Sequence, residues 1–200
     1  MPPPMKSPRI PSSTPLLLLL CLLLNSGHAA DDKPVIFHVR NRCPFPVWPA
    51  TAPNAGHSVI ADGGFFLPSG MTKRMEAPPG WNGRLWGRTG CNFTSTSKPA
   101  CQTGDCLGLL RCNGTIGLPP ATLVEVSLRD GGSKPSFYDV SLVDGYNLPV
   151  SVSSLPANPR CFIAGCRRSP NGECPQELQV VAAADEVQGG QSAVVACKSA

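Results

Sequence analysis

Thr122–Pro149, TLVEVSLRDGGSKPSFYDVSLVDGYNLP, decides the fold. It reads as two strands joined by a glycine-rich turn at Asp130-Gly131-Gly132. On the first strand Val124, Val126 and Leu128 alternate with Glu125 and Ser127. On the second, Tyr138, Val140 and Leu142 alternate with Phe137, Asp139 and Ser141. A period of two marks half-buried strands. Asp144-Gly145 supplies the next turn. The polar positions carry three carboxylates: Glu125, Asp139 and Asp144. Alternation sets Glu125 opposite the Val124–Val126–Leu128 face. Asp139 and Asp144 have opposite parity unless the strand bulges or ends before Asp144. Two readings stand on this stretch: solvated strand residues, or three carboxylates converging on one rim.

Outward from the hairpin the chain offers more short strands. Val35–Arg40 alternates cleanly, with Val35, Phe37 and Val39 inward. Phe45–Trp48 reads as a return strand with Pro46 marking an edge. Residues 52–64 read as a loop, and Phe65–Leu67 and Met71–Glu76 as short strands. Gly83–Thr89 alternates Arg84, Trp86 and Arg88 against Leu85. From Cys91 to Cys112 the chain is loops and cysteines. Asn147–Val152 is extended. Leu178–Val181 and Ser192–Cys197 are two further strand candidates. No amphipathic helical pattern or internal repeat stands out. Short strands with frequent turns predict an all-β sandwich over residues 31–152. Residues 153–200 read as a disulfide-rich loop unit with too few apolar residues for its own core, held by crosslinks.

Residues 1–30 read as a secretory signal peptide. Lys6 and Arg9 form a basic start, Leu16–Leu24 an apolar run, and Ser26–Ala30 a small-residue cleavage region. Cleavage after Ala29 places Gly27 at the −3 position and is preferred to cleavage after Ala30. The apolar run is too short for a membrane span, so a secreted, extracellular chain is expected. Removing Lys6 and Arg9 from 17 basic residues leaves 15 against 13 acidic, a net of +2. That balance, and the absence of a phosphate loop or an aromatic–basic motif, points away from nucleic acid. Nine of the ten cysteines follow the leader: Cys43, Cys91, Cys101, Cys106, Cys112, Cys161, Cys166, Cys174 and Cys197. In an oxidising compartment they form a disulfide framework. The odd count leaves at least one thiol unpaired in a monomer. Cys101, Cys106 and Cys112 have neither zinc-ligand spacing nor a nearby histidine. No metal or cofactor is expected.

Cys101-Gln-Thr-Gly-Asp-Cys106-Leu-Gly-Leu-Leu-Arg-Cys112 is the most specific motif. With Val39–Pro44, Trp86–Phe93, Phe137–Pro149 and Val195–Ala200, it resembles the plant thaumatin-like proteins, pathogenesis-related family 5. The likeness runs from about Val35 to the last residue. One departure is Ser97-Lys98-Pro99-Ala100, where the family usually has glycines. The resemblance implies the pairs Cys91–Cys101, Cys106–Cys112 and Cys174–Cys197. It leaves Cys43, Cys161 and Cys166 unpaired, because in relatives these join cysteines further on. The chain is accordingly similar to a family member lacking its C-terminal part. It is expected not to complete the family's fold.

The resemblance also gives the acids a role. The family has a cleft lined by one Arg, one Glu and three Asp. Arg84, Glu125, Asp139 and Asp144 match the first four, and the third Asp would lie beyond Ala200. Arg84 is preferred to its neighbour Arg88 on the spacing before Trp86. The implied function is defence by binding β-1,3-glucan of fungal walls, as a monomer. One alternative is weak endo-β-1,3-glucanase activity, with Glu125 as the acid and Asp139 or Asp144 as its partner. The other is a protein-interaction role, membrane-perturbing or hydrolase-inhibiting. Asn92-Phe-Thr94 and Asn113-Gly-Thr115 are N-glycosylation sequons. Trp48, Trp81 and Trp86 are expected in the core rather than on sugar. His38 and His57 are expected in solvent.

Overall fold

A computed structural model describes residues 33–94, 99–130, 135–182 and 192–200. The leader reading of residues 1–30, the Gly131-Gly132 turn and Ser97-Lys98 lie outside the described residues. In chain order the strands are β1 (Val35–Arg40), β2 (Trp48–Pro53), β3 (Thr72–Ala77), β4 (Asn82–Arg88) and β5 (Leu123–Ser127). They continue with β6 (Phe137–Ser141), β7 (Ser151–Val152), β8 (Ala164–Gly165), β9 (Gln179–Ala182) and β10 (Ala193–Cys197). The helical segments among the described residues are three-residue 3₁₀ turns. The fold is all-β, as expected.

The largest sheet has the order β2-β4-β5-β6, antiparallel throughout. β5 and β6 are the hairpin read from Thr122–Pro149. Their register pairs Val124 with Val140 and Val126 with Tyr138. That face is the inner one. Val124, Val126 and Leu148 are buried there, with Leu85, Tyr138 and Val140 packed against them. The β1–β3 ribbon lies across it. Phe37, Val39, Met75 and Ala77 join the same cluster. Trp81 is 0% exposed, meets the Phe37 ring edge-on at 6.1 Å, and donates from Nε1 to the Ser58 carbonyl at 3.0 Å. Removing this many apolar side chains from water is the main stabilising term of the fold. Val35, expected inward, is 38% exposed at the ribbon's end.

The strand expected over Phe45–Trp48 is displaced. β2 starts at Trp48 and runs to Pro53, so its last two residues, Ala52 and Pro53, fall where a loop was expected. Its two prolines are tolerated because β2 is an edge strand. They also face glycines: Pro49 pairs with Gly87, and Pro53 with Gly83. Val47 and Leu67 form a single bridge beside it, where a longer Phe65–Leu67 strand was expected.

The opposite face of the sheet is divided. At one end Trp86 and Leu123 are buried with Ala50, Ala52, Ala121, Cys106 and Cys112. The covering segment is the loop 99–121, stitched by Cys106–Cys112 and joined to the chain beyond β4 by Cys91–Cys101. Asp105, 2% exposed, organises that loop. Its Oδ1 accepts from the Ala100 and Cys101 amides at 3.1 Å each, and its Oδ2 from the Gly108 amide at 2.7 Å. At the C-terminal end β9 pairs with β10, with a register irregularity between Val194 and Ala196. Cys174–Cys197 ties this pair to the preceding loop. Tyr146 and Cys197 exchange backbone hydrogen bonds at 2.9 and 2.7 Å, which docks β10 behind the Asp144-Gly145 turn.

Candidate functional site

The other end of the divided face is open. Period-two alternation places Arg84 of β4 on the same face as Trp86 and Arg88. The register then sets Arg84 beside Glu125, and Glu125 beside Asp139. Three adjacent strands thus contribute one residue each to a single row. Directly opposed side chains in antiparallel strands stand with Cβ atoms about 4.5–5.5 Å apart. Arg84 Nη2 lies 3.6 Å from Glu125 Oε1, with the two side chains 25% and 41% exposed. Asp139 is exposed on the far side of Glu125.

This row breaks a rule of sheet construction. Two carboxylates directly across from each other cost roughly 0.2–1 kcal/mol relative to a neutral pair. The guanidinium on the other side of Glu125 offsets part of that. Glu125 and Asp139 line an open depression of about 160 Å³ together with Asn54, Asn82, Ser127 and Phe137. Carboxylate oxygens and amide groups there offer acceptors and donors to a hydroxyl-rich ligand.

Asp144 stands apart from the row. β6 ends at Ser141, and Asp144 is exposed on the following turn. It is not among the residues lining the depression. Gly145 holds φ at +79°, and a Cβ there would strike the Cys197 carbonyl oxygen and Pro120. The turn is therefore confined to this shape and to glycine.

Arg88 has a different environment from Arg84. It is 0% exposed beneath the cysteine loop. Its Nε donates to the Trp48 carbonyl at 2.9 Å, Nη1 to Leu109 at 2.7 Å and Nη2 to Leu110 at 2.8 Å. Burial pushes its pKa down to about 10, against an upward pull from Asp105. It remains a cation at neutral pH. The Phe93 ring lies 5.5 Å from the guanidinium carbon.

Trp81 and Trp86 are buried, and Trp48 packs between Phe66 and Phe93. His38 and His57 are exposed. Asn92 and Asn113 are both exposed. Cys43, Cys161 and Cys166 are half-buried free thiols, and burial pushes the Cys43 thiol up. No group of three metal-ligating side chains is found among the described residues. No helix among them is long and apolar enough to cross a membrane. Sequence reading passed over Asn54, Asn82, Ser127 and Phe137 as site residues. Neutral side chains attract no notice alone. The available signal was parity, which puts Asn82, Ser127 and Phe137 on the face of Arg84, Glu125 and Asp139.

The all-β architecture with its three disulfides is that of a protein of the thaumatin type. Residues 41–200 match the model of the thaumatin family, and the chain belongs to that family. It is 46% identical to a thaumatin-like protein of Arabidopsis thaliana over 92% of this chain and 71% of that one. It is 44% identical to pathogenesis-related protein 5 of Arabidopsis thaliana, with the same two coverages. A glucan endo-1,3-beta-glucosidase of Prunus avium is 40% identical, over 92% of this chain and 70% of that one. The solved structure of a thaumatin-like xylanase inhibitor aligns with 81% of this chain and 91% of its own, at 30% identity and a TM-score of 0.49.

Proposed function

We propose that this is a secreted plant defence protein that binds β-1,3-glucan on the open half of its sheet face. The observation that carries this reading is the row Arg84–Glu125–Asp139, three charged side chains aligned across three strands, two of which, Glu125 and Asp139, line a depression. Sugar hydroxyls donate to the carboxylates, and Arg84 donates to ring or hydroxyl oxygens. Asp144, on the turn after β6, stands outside this row. The names of the relatives, a pathogenesis-related protein and a β-1,3-glucan hydrolase among them, support both the defence role and the ligand class. The experiment is a pull-down on insoluble β-1,3-glucan. The wild type is expected in the pellet, and Glu125→Ala with Asp139→Ala in the supernatant. A double variant retained as well as the wild type would remove the row from binding.

A second reading, hydrolysis, is favoured by one specific observation. Glu125 and Asp139 face each other in register. Directly opposed residues of this kind have Cβ atoms about 4.5–5.5 Å apart, and retaining glycosidases hold their two carboxyls roughly 5–5.5 Å apart. Such an enzyme needs one free carboxylic acid as proton donor, whereas Glu125 is engaged by Arg84. Binding therefore stands first. Reducing ends released from laminarin above a Glu125→Gln control would establish hydrolysis, and their absence leaves binding alone.

A further inference from the structure

The next row along the same three strands is also built for a sugar, by different means. Register pairs Asn82 with Ser127, and Ser127 with Phe137. This row is two residues along from Arg84–Glu125–Asp139, about 6.5 Å away. It carries no charge. Asn54 Nδ2 donates to Asn82 Oδ1 at 2.6 Å, and Asn82 Nδ2 donates to Ser127 Oγ at 3.4 Å. The amides and hydroxyl are thereby oriented as a linked set. Phe137 ends the row at 63% exposure.

Asn82, Ser127 and Phe137 also line a second depression of about 280 Å³, on the far side from Glu125 and Asp139. The neutral row is thus the wall shared by two adjoining hollows. The wall itself is neutral, and Arg129, Asp130 and His57 line the far side of the second hollow. A pyranose is well matched, because its ring presents an apolar C–H face to an aromatic ring and its rim presents hydroxyls to amides.

We infer that Asn82, Ser127 and Phe137 form a second subsite, which takes an uncharged pyranose unit of the chain whose neighbouring unit lies on the acidic row. Phe137 stacks on the sugar ring, and Asn82 and Ser127 bond its hydroxyls. The inference rests on the glucan-binding reading and adds to it a dependence on chain length. A single glucose unit engages the acidic row, whereas a β-1,3-linked oligosaccharide spans both rows.

Calorimetric titration of the full chain with methyl β-glucoside and β-1,3-linked hexasaccharide tests this, using wild type, Phe137→Ala and Phe137→Trp. The expected result is about tenfold weaker hexasaccharide binding by Phe137→Ala. The loss on methyl β-glucoside is smaller, and Phe137→Trp keeps wild-type affinity for both. Thermal unfolding checks that the exposed substitution leaves the fold intact. Equal loss on both ligands, or no loss on the hexasaccharide, overturns the second subsite and leaves the acidic row standing. A wild type that binds neither ligand overturns both.

Discussion

Arg84 and Arg88 sit four residues apart on one strand and point to the same face, yet their surroundings differ in every respect. Arg88 is sealed beneath the cysteine loop and spends its donors on three backbone carbonyls. Arg84 is partly open and faces a carboxylate. Nothing in β4 itself separates them. What separates them is the cover. The loop around Asp105 and Cys106–Cys112 reaches over Trp86 and Leu123 and stops short of Glu125. One half of the face is thus interior and structural, and the other half is surface with polar side chains in register. A buried cation has to satisfy its donors locally, and an exposed one stays free to meet a ligand.

The sharpest way to break that contrast is to remove Arg88. Arg88→Met leaves the Trp48, Leu109 and Leu110 carbonyls without their donor inside a closed site. The expected loss is about 3–5 kcal/mol of stability, read as a fall in melting temperature of roughly 10 °C or more. A variant that melts with the wild type would mean that the loop does not depend on this cation.

Opening the cover comes next in size. Cys106→Ser with Cys112→Ser frees a bridge that closes a sequence separation of only 6. Chain entropy sets the cost at about 2–2.5 kcal/mol. Protease cleavage within residues 107–111 is expected to rise. Unchanged cleavage would show that the Asp105 hydrogen bonds hold the loop unaided.

Arg84→Met is expected to change stability least, by less than about 1 kcal/mol, since its ion pair is partly solvated. Its effect falls on the ligand instead, with roughly tenfold weaker retention on β-1,3-glucan. Loss of stability comparable to Arg88→Met would erase the distinction between the two arginines.

Much of this division was legible in the chain. The hairpin from Thr122 to Pro149 showed its inner face by Val124, Val126, Tyr138 and Val140, because one buried side enforces period two. The same parity put Glu125 and Asp139 on the other side. Which strands would be neighbours was not legible, and register across β4, β5 and β6 is what brings Arg84, Glu125 and Asp139 into a row. β2 was misplaced onto Phe45–Trp48, short of a strand that carries Pro49 and Pro53. Only at an edge, facing Gly87 and Gly83, are they harmless. Asp105 lay hidden inside a cysteine motif whose spacing drew attention to the bridges. Its burial depends on amides at residues 100, 101 and 108 folding back on it, which no local pattern announces.

The central claim, that the open half of the face and not the covered half meets the glucan, is tested most directly by amide chemical-shift mapping during titration with laminarin. Shifts are predicted at residues 82–84, 125–127 and 137–139, with residues 86–88 and 104–110 undisturbed. Shifts concentrated under the cysteine loop, or none on the three strands, would contradict the account.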